Sequence, residues 1–111
     1  ARQSFLDKNR AALNDFFEDM LASLRWFHDP KNHDEAVAIV ARVTKRPAES
    51  LSKYLWTDKD FYYNLDGLPD LDALQSNINA LHDLDMIKGD VDVKKYVDLS
   101  FIKEAAHRLN K

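Results

Sequence analysis

The sequence predicts an all-α fold of five to six short-to-medium helices in an orthogonal bundle. Apolar residues recur at steps of three and four along most of the chain, which is the period of an amphipathic helix. The 3 prolines and 2 glycines fall between those stretches, and no segment gives a convincing strand. A length of 111 residues, 45% of them hydrophobic, fits a single all-α domain over residues 1–111 with material for a core.

The first half of the chain predicts three helices. The first covers residues 9–28, with Asn9 or Asp7 as its N-cap, and it ends because Pro30 disfavours helix at the preceding residue. The second covers residues 34–44 and begins with Asp34 as N-cap. The third is short, covers residues 47–56 and has Pro47 at its first position. Residues 57–70 lack a helical period and predict a loop, with extended backbone near residues 61–63.

The second half of the chain predicts a fourth helix, a short turn and a last helix. Asp70 is expected to cap the fourth helix, and Gly89 is expected to close it. Asp92 is expected to cap a turn through Val97, and Ser100 to cap the last helix, which runs to about residue 109. The intervening valines alternate like a strand, but the turn interrupts them, so we expect them to tuck under neighbouring helices.

Composition excludes several classes of function. A net charge of −3 argues against general nucleic-acid binding, because that binding depends on clustered positive charge. The absence of cysteine excludes disulfides, thiolate metal sites and cysteine nucleophiles. The two glycines, Gly67 and Gly89, are too few and too far apart for a Rossmann fingerprint or a P-loop. The longest apolar run, residues 36–41, is too short to span a bilayer, and there is no signal-peptide pattern.

Two metal sites are suggested by the sequence and rejected on spacing. An EF-hand loop starting at Asp90 would place Lys94, Lys95 and Phe101 where an oxygen ligand, a glycine and a glutamate are required. A zinc site using His28 and His33, with the neighbouring aspartates, lacks the HExxH pattern. We therefore expect no metal, no cofactor and no catalytic residues, and we predict that the chain is not an enzyme. A small metal-dependent enzyme using the two histidines stays a third option.

One segment concentrates aromatic side chains, namely Trp56, Phe61, Tyr62 and Tyr63. These rings either form a surface that docks a partner or fold over the helices and complete the core. Completion of the core is the favoured interpretation, because small helical domains often close their cores with such a loop.

Three stretches together resemble one protein family. They are ARQSFLDKNRAALNDFFEDMLASLRWFHD at residues 1–29, NHDEAVAIVARVTKRPAESL at residues 32–51, and NLDGLPDLDALQSNINALHDLDMIKGDVDVKKYVDLSFIKEA at residues 64–105. Their order and spacing are similar to the C-terminal region of periplasmic substrate-binding proteins of the nitrate/taurine/sulfonate type, which includes relatives that bind thiamine precursors. The sequence departs from the family pattern at Arg10, where proline is usual, and at Asp85, where glycine is usual.

The resemblance implies a function that extends beyond this chain. Such proteins are two-lobed α/β molecules that close around a small anionic or zwitterionic solute and deliver it to a membrane permease of an ABC importer. This chain resembles only their helical C-terminal part, so we expect a fragment of a longer periplasmic parent, and Ala1 in place of Met suits that expectation. The expected partners are the remainder of the parent, the permease and, through the parent, the solute. Trp56 and Phe61 are the candidate cleft residues.

The resemblance also predicts bare surface. Helix faces that pack on the rest of the parent would be uncovered in this chain, with Phe17, Trp26 and the aromatic segment as the candidates. We therefore expect the isolated chain to self-associate. The alternative function is a free-standing all-α interaction module that docks a partner through the aromatic segment at residues 56–63.

Overall fold

The computed structural model describes residues 1–60 and 63–111. Within these ranges the chain is all-α with six α-helices and no strand, which confirms the predicted fold class. The helices are α1 Gln3–Lys8, α2 Arg10–His28, α3 His33–Thr44, α4 Ala48–Ser52, α5 Leu71–Asp83 and α6 Ser100–Leu109. Short 3-10 turns at Pro30–Asn32 and Val93–Tyr96 precede α3 and α6.

The main core lies between α2 and α6. Leu21 of α2 and Ala105 of α6 are fully buried, and Ile102 of α6 packs beside them. Six partly buried side chains surround these three, namely Phe17, Leu24, Leu68, Leu99, Ala106 and Leu109. Burying an aliphatic side chain contributes about 1.5–3 kcal/mol, so this small cluster is the principal source of tertiary stability.

Polar contacts at the rim hold the same two helices together. The Arg108 guanidinium of α6 donates to Asp15 and Glu18 of α2 and to Glu104 on its own helix, at 3.0–3.2 Å. These carboxylates raise the pKa of Arg108 far above its usual range. At the other end of α6, the Arg10 guanidinium lies 4.4 Å from the centre of the Phe101 ring, which is a cation–π contact.

The α3–α4 hairpin packs beside the end of α2. Ala36 and Val37 of α3 and Leu51 of α4 are buried. Asp29 accepts a hydrogen bond from the Lys31 amide and thereby caps the 3-10 turn that leads from α2 into α3. Lys45 ends α3 in the left-handed region, with φ of 59°.

Helix α5 makes few tertiary contacts within the described part of the chain. Among the described elements it contacts the 3-10 turn Val93–Tyr96 and no other helix. The Gln75 side chain joins the two by donating to the Val91 carbonyl at 2.8 Å and accepting from the Val93 amide at 2.9 Å. Val93 is buried and Val91 is half-buried, so the valines tuck under neighbouring residues as predicted.

The predicted spans of the longer helices agree closely with the structure, but several predicted caps were wrong. Helix α5 ends at Asp83, and Asp85, not Gly89, takes the left-handed conformation that ends it, with φ of 58°. The amides of Asp85 and Met86 donate to the carbonyls of His82 and Leu81, which is a Schellman arrangement. Asp85 therefore performs the role usually taken by glycine.

The second wrong cap is at the start of α6. The carboxylate of Asp98 accepts the hydrogen bond from the Ser100 amide at 2.9 Å, so Asp98 rather than Ser100 supplies the capping oxygen. Asp70 and Asp92 cap their helices as predicted, each accepting from backbone amides two or three residues on.

Several other helix starts differ from the prediction. Asn9 precedes α2, but its side chain donates to the carbonyl of Phe5 and so ends α1 instead. Helix α3 begins at His33, which places Asp34 inside its first turn. Pro47 stands just before α4, and α4 ends at Ser52, earlier than the helical pattern predicts.

The six helices form an open arrangement rather than a closed bundle. The radius of gyration is 17.5 Å, whereas a compact domain of this length has about 13 Å. The solvent-accessible surface is 8,598 Å², whereas a compact monomer of this mass exposes about 6,300 Å². None of the described helices combines the length and apolar character that crossing a membrane requires.

Candidate functional site

The aromatic segment covers the C-terminal end of α2. The Trp56 ring stacks on Phe27, with 4.9 Å between ring centres and 25° between planes. The backbone of Trp56 is left-handed, with φ of 51°, and its amide donates to the Asp60 carboxylate at 2.8 Å. Trp56 is half-buried, so its ring helps to complete the packing around α2. Phe61 and Tyr62 lie outside the described residues, so the candidate role of Phe61 stays a prediction.

His28 packs against an aromatic cluster formed by Phe27, Trp56 and Tyr63. Its ring is 4.6 Å from the centre of Tyr63 and 6.4 Å from that of Trp56. Its Nε2 atom is buried and has no hydrogen-bond partner among residues 1–60 and 63–111. His28 therefore packs among aromatic rings. Among the described residues no group of three or more metal-binding side chains comes together.

An apolar groove adjoins the aromatic cluster and encloses about 640 Å³. Met20 and Leu24 of α2 form one wall, and residues 63–70 form the other. Tyr63 belongs to both the groove and the aromatic cluster, so the two features make one continuous surface. Met20 and Tyr63 remain about 40% exposed, at 39% and 41% respectively.

Hydrogen bonds made by Arg25 and Asn64 hold the loop wall of the groove in position. Arg25 of α2 donates to the Leu65 carbonyl, to the Asp66 carboxylate and to Asn110 beyond α6, at 2.7–3.1 Å. Asn64 accepts from the Asp66 amide through its side chain and from the Gly67 amide through its carbonyl, both at 2.8 Å. These contacts attach the loop to both helices of the main core.

Gly67 allows the loop to approach the core closely. Its φ is +68°, and a Cβ atom at this position would lie 2.8 Å from Cδ1 of Ile102 and 3.1 Å from Cδ1 of Leu21. A side chain here would be strained and would clash. The groove therefore depends on glycine at this position, a requirement that the sequence pattern alone did not reveal.

The groove is suited to binding apolar surface and carries no visible chemistry. Its single carboxylate, Asp70, accepts hydrogen bonds from the Asp72 and Ala73 amides and caps α5. Among the other described lining residues, Tyr63 and Asn64 have polar side chains and none carries a charge. A second, open cleft of about 660 Å³ lies between α5 and residues 89–94, where solvated aspartates face Lys94.

Sequence reasoning identified one edge of this surface and missed the rest. Trp56 lies at the aromatic end, whereas the helical spacing of Met20 and Leu24 indicates only that they share the apolar stripe of α2. The missed signal is the width of the apolar stripe. Neighbouring residues are about 100° apart around a helix, so adjacent apolar pairs such as Phe16–Phe17 and Met20–Leu21 widen the stripe. A stripe of this width is broader than one facing helix can cover.

The faces expected to be bare also differ from those observed. Phe17 and Trp26 are half-buried, and Phe17 packs 5.9 Å from the ring of Phe101. These two rings are therefore only partly uncovered, since Phe17 packs against Phe101 of α6 and Trp26 contacts the ring of Phe27. Phe16 is the exposed ring of the pair, at 59%.

Comparison with protein-family models, with curated proteins and with solved structures found no significant match to this chain.

Proposed function

We propose that this chain is the C-terminal helical part of a periplasmic solute-binding protein of an ABC importer. The parent would capture a small anionic or zwitterionic solute, of the nitrate, sulfonate, taurine or thiamine-precursor class, and deliver it to a membrane permease. The helices described above would form a non-enzymatic brace that packs on one lobe and moves with it as a rigid body. Trp56 and Phe61 are the residues we nominate for the cleft.

The open shape of the chain is the observation that favours this proposal. About 2,300 Å² more surface is exposed than a compact monomer of this mass would expose. Exposed apolar side chains occur on α1, α2, α3, α5 and the loops, which is typical of a segment whose apolar faces pack on other structure. The three sequence stretches that resemble the family supply the choice of parent.

The test is to identify the gene product that contains this sequence and measure its solute binding. A longer protein, with α/β sequence before Ala1, is expected to gain thermal stability with taurine, alkanesulfonates, nitrate or a thiamine precursor. Saturation at 100 times Kd stabilises a protein by about 2.7 kcal/mol. The 111-residue chain alone serves as the control and is expected to show no shift. A gene product of about this length, or a longer product that binds none of these solutes, would overturn the proposal.

The alternative is an interaction module that docks a partner through the aromatic segment. Exposed Tyr63 and Leu65 beside the apolar groove favour it. Because Trp56 is stacked on Phe27, the docking surface would centre on the groove rather than on Trp56. A gene product of about this length whose partner binding is lost in Tyr63→Ala would support this alternative over the importer proposal.

A further inference from the structure

Helix α5 presents an apolar face that the described part of the chain leaves largely uncovered. Its leucines and isoleucine recur with helical spacing, yet the helix has no buried residue. Leu74 is 42% exposed, and Leu84, just after the helix, is 68% exposed. A helix of this kind normally buries its apolar stripe against another element, and the 3-10 turn covers only one side of it.

The groove between α2 and residues 63–70 is the complementary surface. It is mostly apolar, and one turn of α2 forms one of its walls. An apolar groove is the kind of site that receives the apolar face of an amphipathic helix. Asp70 ends the groove wall and also caps α5. Helix α5 therefore begins at the end of its own groove, and it makes no contact with α2 of the same chain. Helix α5 of a second copy is not joined to this groove wall and is free to lie in the groove.

The surface area fits an obligate dimer. Each chain exposes about 2,300 Å² more than a compact monomer would, and obligate homodimers bury about 2,000–5,000 Å² in total. Two copies that each covered about half of this excess would bury about 2,300 Å² in total, which is within that range. The net charge of −3 per chain offers little repulsion against association.

We propose that two copies of this chain form a twofold-symmetric dimer in which α5 of each copy occupies the α2/63–70 groove of the other. Because one chain carries both the helix and the groove, a twofold axis satisfies both sites at once and the assembly closes at two copies. The dimer uses only α5 and the groove, and it leaves the exposed apolar residues of α1 and α3, Phe5 and Val43, to the parent lobe of the importer proposal.

The first test is sedimentation velocity between 1 and 200 µM. The wild-type chain is expected to sediment as a dimer at the upper end. Leu74→Glu on α5 and Met20→Glu in the groove are each expected to weaken association at least tenfold. Ser76→Glu and Ala22→Glu are the matched controls, since both residues are exposed and lie about 160° around the same helices from Leu74 and Met20. They are expected to change association less than twofold, with far-UV circular dichroism confirming that all four variants fold.

The second test identifies the contact itself and does not depend on a change in affinity. The chain has no cysteine, so mixed single-cysteine variants form only intermolecular disulfides. Met20→Cys mixed with Leu74→Cys is expected to give a cross-linked heterodimer on mild oxidation, and Met20→Cys mixed with Ser76→Cys is not. A wild-type monomer at 200 µM, a higher oligomer, or equal cross-linking in both mixtures would overturn the proposal.

Discussion

Helices α5 and α6 have similar amphipathic sequences but opposite environments. Helix α6 buries three of its residues against α2, whereas the longer α5 buries none. The difference is the presence of a facing helix within the described chain. An amphipathic pattern therefore predicts that a helix needs a partner, but it does not say whether that partner belongs to the same chain. The predictions below compare the packed α2–α6 region with the α5 region.

The largest expected difference comes from shortening one leucine in each region. Leu21→Ala should lower the free energy of unfolding by about 3 kcal/mol, because Leu21 is fully buried and the change leaves a cavity. Leu81→Ala should cost about 1 kcal/mol, because Leu81 is only half-buried on α5. Urea denaturation followed by circular dichroism measures both values. Equal losses would mean that α5 is as well packed as α2.

Substitution of the two glycines by alanine provides a second pair of variants to compare, since both glycines have positive φ. Gly67→Ala should destabilise by about 2–3 kcal/mol, because it adds a clash with Ile102 and Leu21 to the backbone strain. Gly89→Ala should cost about 1 kcal/mol, because open space surrounds it and only the strain remains. Thermal denaturation of both variants tests the difference, and a larger loss at Gly89 would contradict the close approach at Gly67.

Gln75 carries the link between α5 and the 3-10 turn. Gln75→Ala should lower stability by about 1–2 kcal/mol, since it removes two hydrogen bonds to the backbone of Val91 and Val93. Hydrogen exchange should speed up at residues 91–96 and stay unchanged in α6. Asn79→Ala is the control, because Asn79 contacts Gln75 without touching that backbone. Unchanged exchange in Gln75→Ala would show that other contacts hold the turn.

The end of α5 offers a stabilising change. Asp85→Gly should raise the free energy of unfolding by about 0.5 kcal/mol, because relief of left-handed strain outweighs the added freedom of the unfolded chain. Asp83→Gly, at the last residue of the helix, should instead destabilise by about 0.3 kcal/mol. Urea denaturation midpoints distinguish the two, and a loss of stability in Asp85→Gly would contradict the Schellman arrangement.

The smallest effect concerns pH at the start of α6. Hydrogen bonds from Ser100, with a contribution from the Arg10 charge, lower the pKa of Asp98 below its ordinary value. The ionised Asp98 carboxylate therefore contributes fully to the free energy of unfolding above about pH 4, and this contribution is lost as the pH falls through the lowered pKa. Asp98→Ala should be less stable than wild type at pH 6, and the difference should vanish in strong acid. A difference that persists there would assign the effect to something other than the carboxylate.

The sequence predicted the helices better than it predicted their ends or their packing. Apolar spacing located the longer helices, α2, α3, α5 and α6, because the helical period is a local property of the chain. The cap at Asp98 and the left-handed Asp85 were missed, since several nearby aspartates could serve equally well and tertiary context selects among them. The groove was missed because Met20 shares the apolar stripe of α2 with Leu21 and nothing local separates them.

The sequence by itself determined that this chain is helical, lacks cysteine and glycine-rich phosphate loops, and carries more apolar helix surface than it needs for one core. Only the tertiary structure decided which of that surface is covered. Helix α6 and Gly67 enclose Leu21, while Met20 and Leu74 stay partly open. Burial depends on contacts between residues far apart in the sequence, and such contacts leave no periodic trace in either segment alone.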